Sequence, residues 1–348
     1  MWQTENRTPF QVERCGIRDR DGSEVWLVAL KASFDIHPDG SLAIADEQDP
    51  VTLAPAFFGD PSTSSLAHEA DIVWARPGTD VFVRGRAHAP AGPVQHLQIG
   101  FRVGPVQRAA AVIGDRIWER GLLGTLHPGD AVAFTSMPLI WEHAFGGRDP
   151  APDPASWEPR NPVGRGFASA GGSLSGTALP NIEDPAHLIK SVRDHPAPVG
   201  FGPVARHWHP RARYAGTYDA DWQRERRPLL PDDFDLRYQR AAPVGQQVDG
   251  FLVGGEEVRL VHLHPRAAMC AFRLPVVRPT FRTLFRGRPG VEHAGRMTSV
   301  TLDTERARLA MVWVSELACH HDIQRLRVTQ VGLGGPVRLR QHHGGEAP

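Results

Sequence analysis

The sequence has almost no lysine and no net charge. Only Lys31 and Lys190 are lysines among its 39 basic residues, and 39 acidic residues bring the formal charge to zero. A neutral chain lacks the broad basic field that nucleic-acid or anionic-membrane binding requires. We therefore expect neither nucleic acid nor a membrane among the partners of this protein.

Cysteines and long apolar runs are also scarce. Cys15, Cys270 and Cys319 are odd in number, far apart and outside any Cys-x-x-Cys spacing, which favours free thiols over a disulfide framework. The longest apolar runs, 25–30 and 309–314, are far shorter than the ~20 residues that span a bilayer, and the first residues lack the apolar core of a signal peptide. These features favour a cytoplasmic location.

Long helices are excluded by the composition. The 348 residues include 31 prolines, and each interior proline removes an amide donor and clashes with the preceding helical turn. Short segments rich in Val, Ile, Leu and aromatic residues alternate with Gly, Pro and Asp, which is typical of hairpin-connected strands. The sequence therefore predicts a mainly β fold, with antiparallel sheets packed as a sandwich or barrel-like body and few short helices. The segments predicted as strands are 24–34, 80–87, 94–103, 109–118, 256–263, 268–274 and 308–314.

We predict one β-rich domain over residues 1–337. Its parts are a strand-rich segment 8–135, an irregular segment 136–247, a strand-rich segment 248–316 and terminal strands over 317–337, followed by a flexible tail 338–348. The irregular segment is rich in glycine, proline and aromatic residues, whereas disordered linkers are poor in aromatics. We expect it to be ordered, and long ordered loops commonly carry function.

Close histidine pairs raise the possibility of a metal site. Two histidines on a strand that are separated by one residue share a face, so both could ligate one ion. A zinc or iron site also needs a third ligand and oriented partners, and no familiar metal motif is present, so we expect no metal or cofactor. A metalloenzyme built on His262 and His264 stays an alternative. The other pairs are His207/His209, His320/His321 and His342/His343.

An acidic cluster offers a second alternative. Asp232, Asp233 and Asp235, together with His207 or His209, could serve a cell-wall or carbohydrate hydrolase. The simpler interpretation is that these aspartates cap a turn and pair with nearby arginines. Because nucleophile-elbow, Walker and dinucleotide-binding signatures are absent, we expect the protein not to be an enzyme.

Glycine, proline and aromatic motifs remain, at 137–147, 161–167, 179–185, 198–203 and 216–222. Glycine permits close approach of the main chain, proline lowers the entropy of a loop, and aromatic side chains supply contact area. Preshaped loops of this kind suit protein recognition. The candidate contact residues are Trp141, Phe145, Phe167, Phe201, Tyr218 and Trp222.

These motifs, together with Ser64-Ser65-Leu66-x₄-Asp71, Pro77-Gly78-Thr79-Asp80-Val81-x-Val83-x-Gly85 and Gly114-Asp115-Arg116-x-Trp118, carry a resemblance. From about residue 8 to 316 the chain resembles a bacterial family of unknown function found beside type VI secretion effector genes. The resemblance implies a cytoplasmic adaptor or chaperone that binds a cognate toxic effector and helps load it onto the VgrG or PAAR-type spike. It transfers no site residue.

Overall fold

The computed structural model describes residues 2–122, 124–149, 154–169, 174–320 and 322–339. It is mainly β, with 43% strand and 7% helix, which confirms the predicted fold class. The predicted tail beyond residue 339 lies outside the described residues, as do His321, His342 and His343.

The elements are mostly short, as expected from the frequency of glycine and proline. The helices are one α-helix, α1 (Ala220–Glu225), and 3₁₀ turns at Trp141–His143, Arg211–Tyr214, Leu236–Gln239, Val244–Gln246 and Ile323–Arg325. The strands are Gln3–Asn6 (β1), Gln11–Arg18 (β2), Glu24–Ile36 (β3), Leu42–Ile44 (β4), Ala56–Phe57 (β5), Leu66–His68 (β6), Asp80–Arg84 (β7), Arg86–His88 (β8), His96–Val103 (β9), Val106–Ile113 (β10), Trp118–Arg120 (β11), Leu126–Pro128 (β12), Ser136–Pro138 (β13), Phe145–Gly146 (β14), Arg148–Asp149 (β15), Ser156–Trp157 (β16), Arg165–Gly166 (β17), Ile182–Glu183 (β18), Glu257–His264 (β19), Ala267–Arg273 (β20), Pro279–Phe285 (β21), Val291–Asp303 (β22), Arg308–Ala318 (β23) and Leu326–Leu333 (β24).

The larger sheet has nine strands. Its main order is β1-β24-β21-β22-β23-β3-β2, with β4 added beside β3 and β7 added beside β22. Strand β22 is long enough to pair with β21 near its start and with both β23 and β7 near its end. This change of partners along one strand accompanies the curl of the sheet into a half-barrel.

The smaller sheet has five strands in the order β18-β10-β9-β19-β20. Alternate residues of β9 point inward and share one core with alternate residues of β3, so the two sheets pack face to face. The inward residues include Trp26, Leu30, Ile99 and Phe101, each no more than 3% exposed. The body is therefore a sandwich whose larger sheet is curled.

The second face of β3 is also covered. Val25, Leu27 and Ala29 pack in a separate cluster with Val51, and Trp74 lies against it. Because β3 is buried on both faces, its sequence is a nearly continuous apolar run and was readily predicted as a strand.

Two predicted strands are each divided by a glycine. The segment 80–87 breaks at Gly85, whose φ of +105° is unfavourable for other residues. The segment 109–118 breaks at Gly114, where a Cβ would lie 1.8 Å from the carbonyl oxygen of Val132. In both cases the main chain turns because a second segment passes too close for a side chain.

Candidate protein-interaction site

Three of the six candidate contact residues are part of the core. Trp141, Phe145 and Phe201 are 5%, 2% and 1% exposed, respectively. Trp141 Nε1 donates to the Pro203 carbonyl at 3.1 Å, and the Phe201 ring packs edge-on against Phe101 of β9 at 5.7 Å between centroids. Phe201 packs in the core of the sandwich, whereas Trp141 and Phe145 lie in two separate buried clusters. We therefore no longer place the three among the contact residues.

The other three differ in exposure. Phe167 is half-buried and packs against the cluster that contains Phe145. Tyr218 and Trp222 lie together, with ring centroids 4.7 Å apart in an edge-to-face contact. Tyr218 is 51% exposed and Trp222 is half-buried, so this pair presents an aromatic surface to solvent.

Tyr218 and Trp222 belong to a segment that we call the arm, residues 215–239. Helix α1 lies near its start, and the Asp219 side chain caps the helix by accepting a hydrogen bond from the Trp222 amide at 2.9 Å. The indole Nε1 of Trp222 donates to the Leu229 carbonyl at 2.8 Å, which folds the chain after the helix back onto it. The aromatic pair is therefore fixed from within the arm.

The acidic cluster stabilises the second half of the arm. Asp233 accepts hydrogen bonds from the amide and the hydroxyl of Thr217, and Asp235 accepts from the amide and guanidinium of Arg237. These bonds lower the pKa of both carboxyls below their usual range. A general acid needs the opposite shift. Asp232 is exposed and forms an ion pair with Arg226 at 3.2 Å.

Arg211 fixes the base of the arm. Its Nη1 lies 2.7 Å from Glu69 and 2.6 Å from the Val204 carbonyl, and its Nε donates to the Tyr238 carbonyl at 3.1 Å. Burial would raise the pKa of Glu69, but the Arg211 and Arg206 guanidinium groups lower it below its usual value. Arg211, just before the arm, thus binds Tyr238 at the end of the arm, and the buried ion pair with Glu69 fixes Arg211 in place.

A second buried ion pair fixes the residues that follow the arm. Arg240 Nε lies 2.6 Å from Asp80, and the other Asp80 oxygen accepts from the amides of Ala241 and Ala242. Gly78 lies beside this pair, and a Cβ there would come within 2.3 Å of the Val248 carbonyl oxygen. The Pro77-Gly78-Thr79-Asp80 motif is thus the attachment point of the irregular segment on β7.

The arm also rests on the turn between β2 and β3. Arg226 Nη2 lies 2.9 Å from Asp21 at that turn, and the side chain of Leu229 packs close to Gly22. Contacts at the base and along one side hold the arm in one shape, while Tyr218 faces solvent.

The pair His262 and His264 does not direct two free nitrogens at one ion. A bulge in β19 between Val261 and His264 breaks the alternation of its side chains, and His262 has a φ of +56°. His262 Nδ1 lies 2.8 Å from the Gln98 carbonyl, whereas His264 Nε2 lies 3.2 Å from that of Ile36. Each ring has a backbone partner on a different strand.

His207 also has a hydrogen-bond partner. Its Nε2 accepts a hydrogen bond from the Trp208 indole at 2.9 Å, and burial followed by the charge of Arg148 lowers its pKa. Among the residues that the structure describes, no group of three or more His, Cys, Asp or Glu is placed to hold a metal ion.

Three charged residues that fix the arm and the chain after it were not predicted from the sequence: Glu69, Arg211 and Arg240. Each lies in a polar stretch and meets a partner far away in the sequence, so local spacing carried no signal for them. Asp80 belongs to a motif noted in the sequence, whereas its buried partner Arg240 belongs to none.

No curated protein and no solved structure matches this chain. Within the described residues, no helix is both long and apolar enough to cross a membrane. A family model described as an uncharacterized protein conserved in bacteria (DUF2169) matches residues 21–314, most of the chain. The chain therefore belongs to this uncharacterized bacterial family.

Proposed function

We propose that this protein is a non-enzymatic adaptor of type VI secretion, which binds a cognate toxic effector in the cytoplasm and helps load it onto the VgrG or PAAR-type spike. The secretion system and the partners in this proposal are those that the motif resemblance implies. The arm supplies a surface that suits the role, because it presents an aromatic anchor in a fixed conformation.

The proposal rests on one observation: Tyr218 is exposed to solvent on the arm, and the arm is fixed by buried ion pairs. Tyrosine and tryptophan are enriched at the centres of protein interfaces, where they bury large area at low entropic cost. Ion pairs at Glu69 and Asp80 fix the arm before binding. The arm therefore loses little conformational entropy when a partner binds. A preshaped aromatic surface fits an adaptor that must bind tightly enough to deliver a cargo.

The test is co-purification of the full chain with the effector and the spike protein encoded beside its gene. We expect Tyr218→Ala to weaken capture of one of them by about thirtyfold or more, since interface hot spots are worth about 2 kcal/mol or more. Phe58→Ala is a matched control, because Phe58 is similarly exposed at 55% but lies outside the arm.

Two results would contradict the proposal. One is that the chain captures neither protein. The other is that deletion of its gene leaves delivery of the effector intact. Equal losses for Tyr218→Ala and Phe58→Ala would instead remove the arm as the contact surface.

A further inference from the structure

The outer face of the five-stranded sheet carries an uncovered groove of about 460 Å³. Ala109, Gly100 and Val261 face one another across three strands and line the groove, and Met269 of β20 is next in the same row. Met269 is 75% exposed. Small and apolar side chains in the centre of a solvent-facing sheet leave a shallow trough where polar side chains are the usual pattern.

The next row of the same face carries positive charge. Arg102 of β9 and Arg259 of β19 are direct neighbours in the register, and both are exposed. Like charges placed opposite each other destabilise a sheet unless something compensates for them. Arg259 has one carboxylate partner, Glu257, at 2.6 Å, and Arg102 Nε donates to the neutral Gly104 carbonyl.

We propose that this groove binds an acidic segment of a partner protein, with an apolar side chain of that segment seated on Gly100 and its carboxylates on Arg102 and Arg259. The partner's identity rests on the proposed function. The absence of a side chain at Gly100 lets the segment approach the sheet closely, and the paired arginines supply the charge that an acidic segment complements.

Other occupants fit less well. A second copy of this face, packed across a two-fold axis, would bring arginines against arginines. Single-stranded nucleic acid is bound largely by stacking on exposed aromatic rings. Of the rings among the residues that line this groove, Phe101 is buried and His262 is half-buried with its Nδ1 on the Gln98 carbonyl.

The test measures binding of short overlapping peptides, which tile the neighbouring effector and spike proteins, to the full-length chain by fluorescence anisotropy. We expect an acidic peptide with an apolar residue to bind, and its affinity to fall as salt is added. The double variant Arg102→Glu/Arg259→Glu should weaken binding by about tenfold or more, and a peptide with its acids replaced by lysine should regain affinity for that variant.

The double variant Arg282→Glu/Arg327→Glu is the matched control, because it makes the same charge change at exposed strand positions of the larger sheet. Arg102→Gln/Arg259→Gln guards against a folding defect, and it should give a smaller loss in the same direction.

Three results would overturn the proposal: no acidic peptide binds, charge reversal has no effect, or an oligonucleotide competes for the groove. If the chain still captures the intact effector or spike protein, failure with the peptides removes this groove and leaves the proposed function standing. If neither the peptides nor the intact proteins bind, both the groove and the proposed function are ruled out.

Discussion

His293 lies in a directed chain of hydrogen bonds inside the larger sheet. Trp26 Nε1 donates to the Thr329 hydroxyl at 2.9 Å, and that hydroxyl lies 2.8 Å from Thr283 Oγ1. Thr283 Oγ1 in turn lies 2.8 Å from His293 Nε2, and His293 Nδ1 contacts the Ser315 hydroxyl. When Nε2 carries no proton, it accepts from the Thr283 hydroxyl, and Thr283 can in turn accept from Thr329, which accepts from the indole.

A neutral His293 with its proton on Nδ1 fits these contacts. Ser315 donates to the Ala294 carbonyl, so it accepts from Nδ1, and the ring carries its single proton there. Burial lowers the pKa of His293 to about 4. Burial also lowers the pKa of His68, with Arg84 next in effect, and that of His143, with Arg165 next, each to about 4.

These three histidines make stability depend on pH. Because each pKa is lower in the folded chain than the ordinary 6.5, the unfolded chain binds more protons between pH 6.5 and 4. The stabilisation is complete above 6.5 and is lost as the pH falls towards 4. Each histidine contributes at most about 1.4 kcal/mol per pH unit, and less where solvent reaches the ring.

We predict that His293→Gln flattens this dependence, because glutamine can donate and accept but does not titrate. The free energy of unfolding, measured by urea denaturation from pH 7 to pH 5, should fall less steeply in the variant than in the natural chain. Identical slopes would show that His293 is not held neutral by the fold.

At the scale of elements, most of the predicted strands were confirmed, whether buried on both faces, as β3 is, or exposed on one, as β9, β19 and β20 are, but some strands were missed. Strand β3 reads as one apolar run, and its predicted start at Glu24 agrees with the structure. Strand β22 was not singled out, because its first half alternates exposed and half-buried residues while its second half is buried and includes Thr298 and Ser299. A strand that changes partners midway has no single period.

The candidate site, too, could be predicted from the sequence only in part. Tyr218 and Trp222 were among the predicted contact residues because they are aromatic residues in a loop. Whether an aromatic residue in a loop faces the core or the solvent depends on distant segments, as Trp141 and Phe201 show. The ion pairs that fix the arm join residues more than 140 positions apart.

Asp80, which fixes the residues that follow the arm, is predicted to be sensitive to substitution. Asp80→Ala leaves Arg240 buried without its partner, since the two side chains are 0% and 6% exposed. We expect a loss of about 3–5 kcal/mol in the free energy of unfolding. Asp221→Ala is the control, because its pair with Arg224 is exposed and should contribute little. Similar losses for the two variants, measured by urea denaturation, would contradict this assignment.

At the scale of the whole molecule, the irregular segment and the sandwich share one core. Met137, Leu139 and Val199 of the irregular segment lie in the same buried cluster as Ile99 of β9. Hydrogen bonds reinforce the junction, because the Phe201 carbonyl accepts from both the Val83 amide and the Gln246 side chain. The segment is therefore a part of the fold, although it contains few regular elements.

A shared core predicts that the described parts of the chain unfold together. Phe201→Ala removes a ring that is 1% exposed and packs on Phe101, which should cost about 3–5 kcal/mol. We expect the loss to shift the far-ultraviolet circular dichroism transition, which reports the strands, and the tryptophan fluorescence transition by the same amount. Four of the nine tryptophans lie in the irregular segment, so the fluorescence includes a signal from it. Coincident transitions indicate one cooperative unit. If fluorescence changed at lower denaturant while the strand signal kept its midpoint, the irregular segment would be a separate unit attached to an independent sandwich.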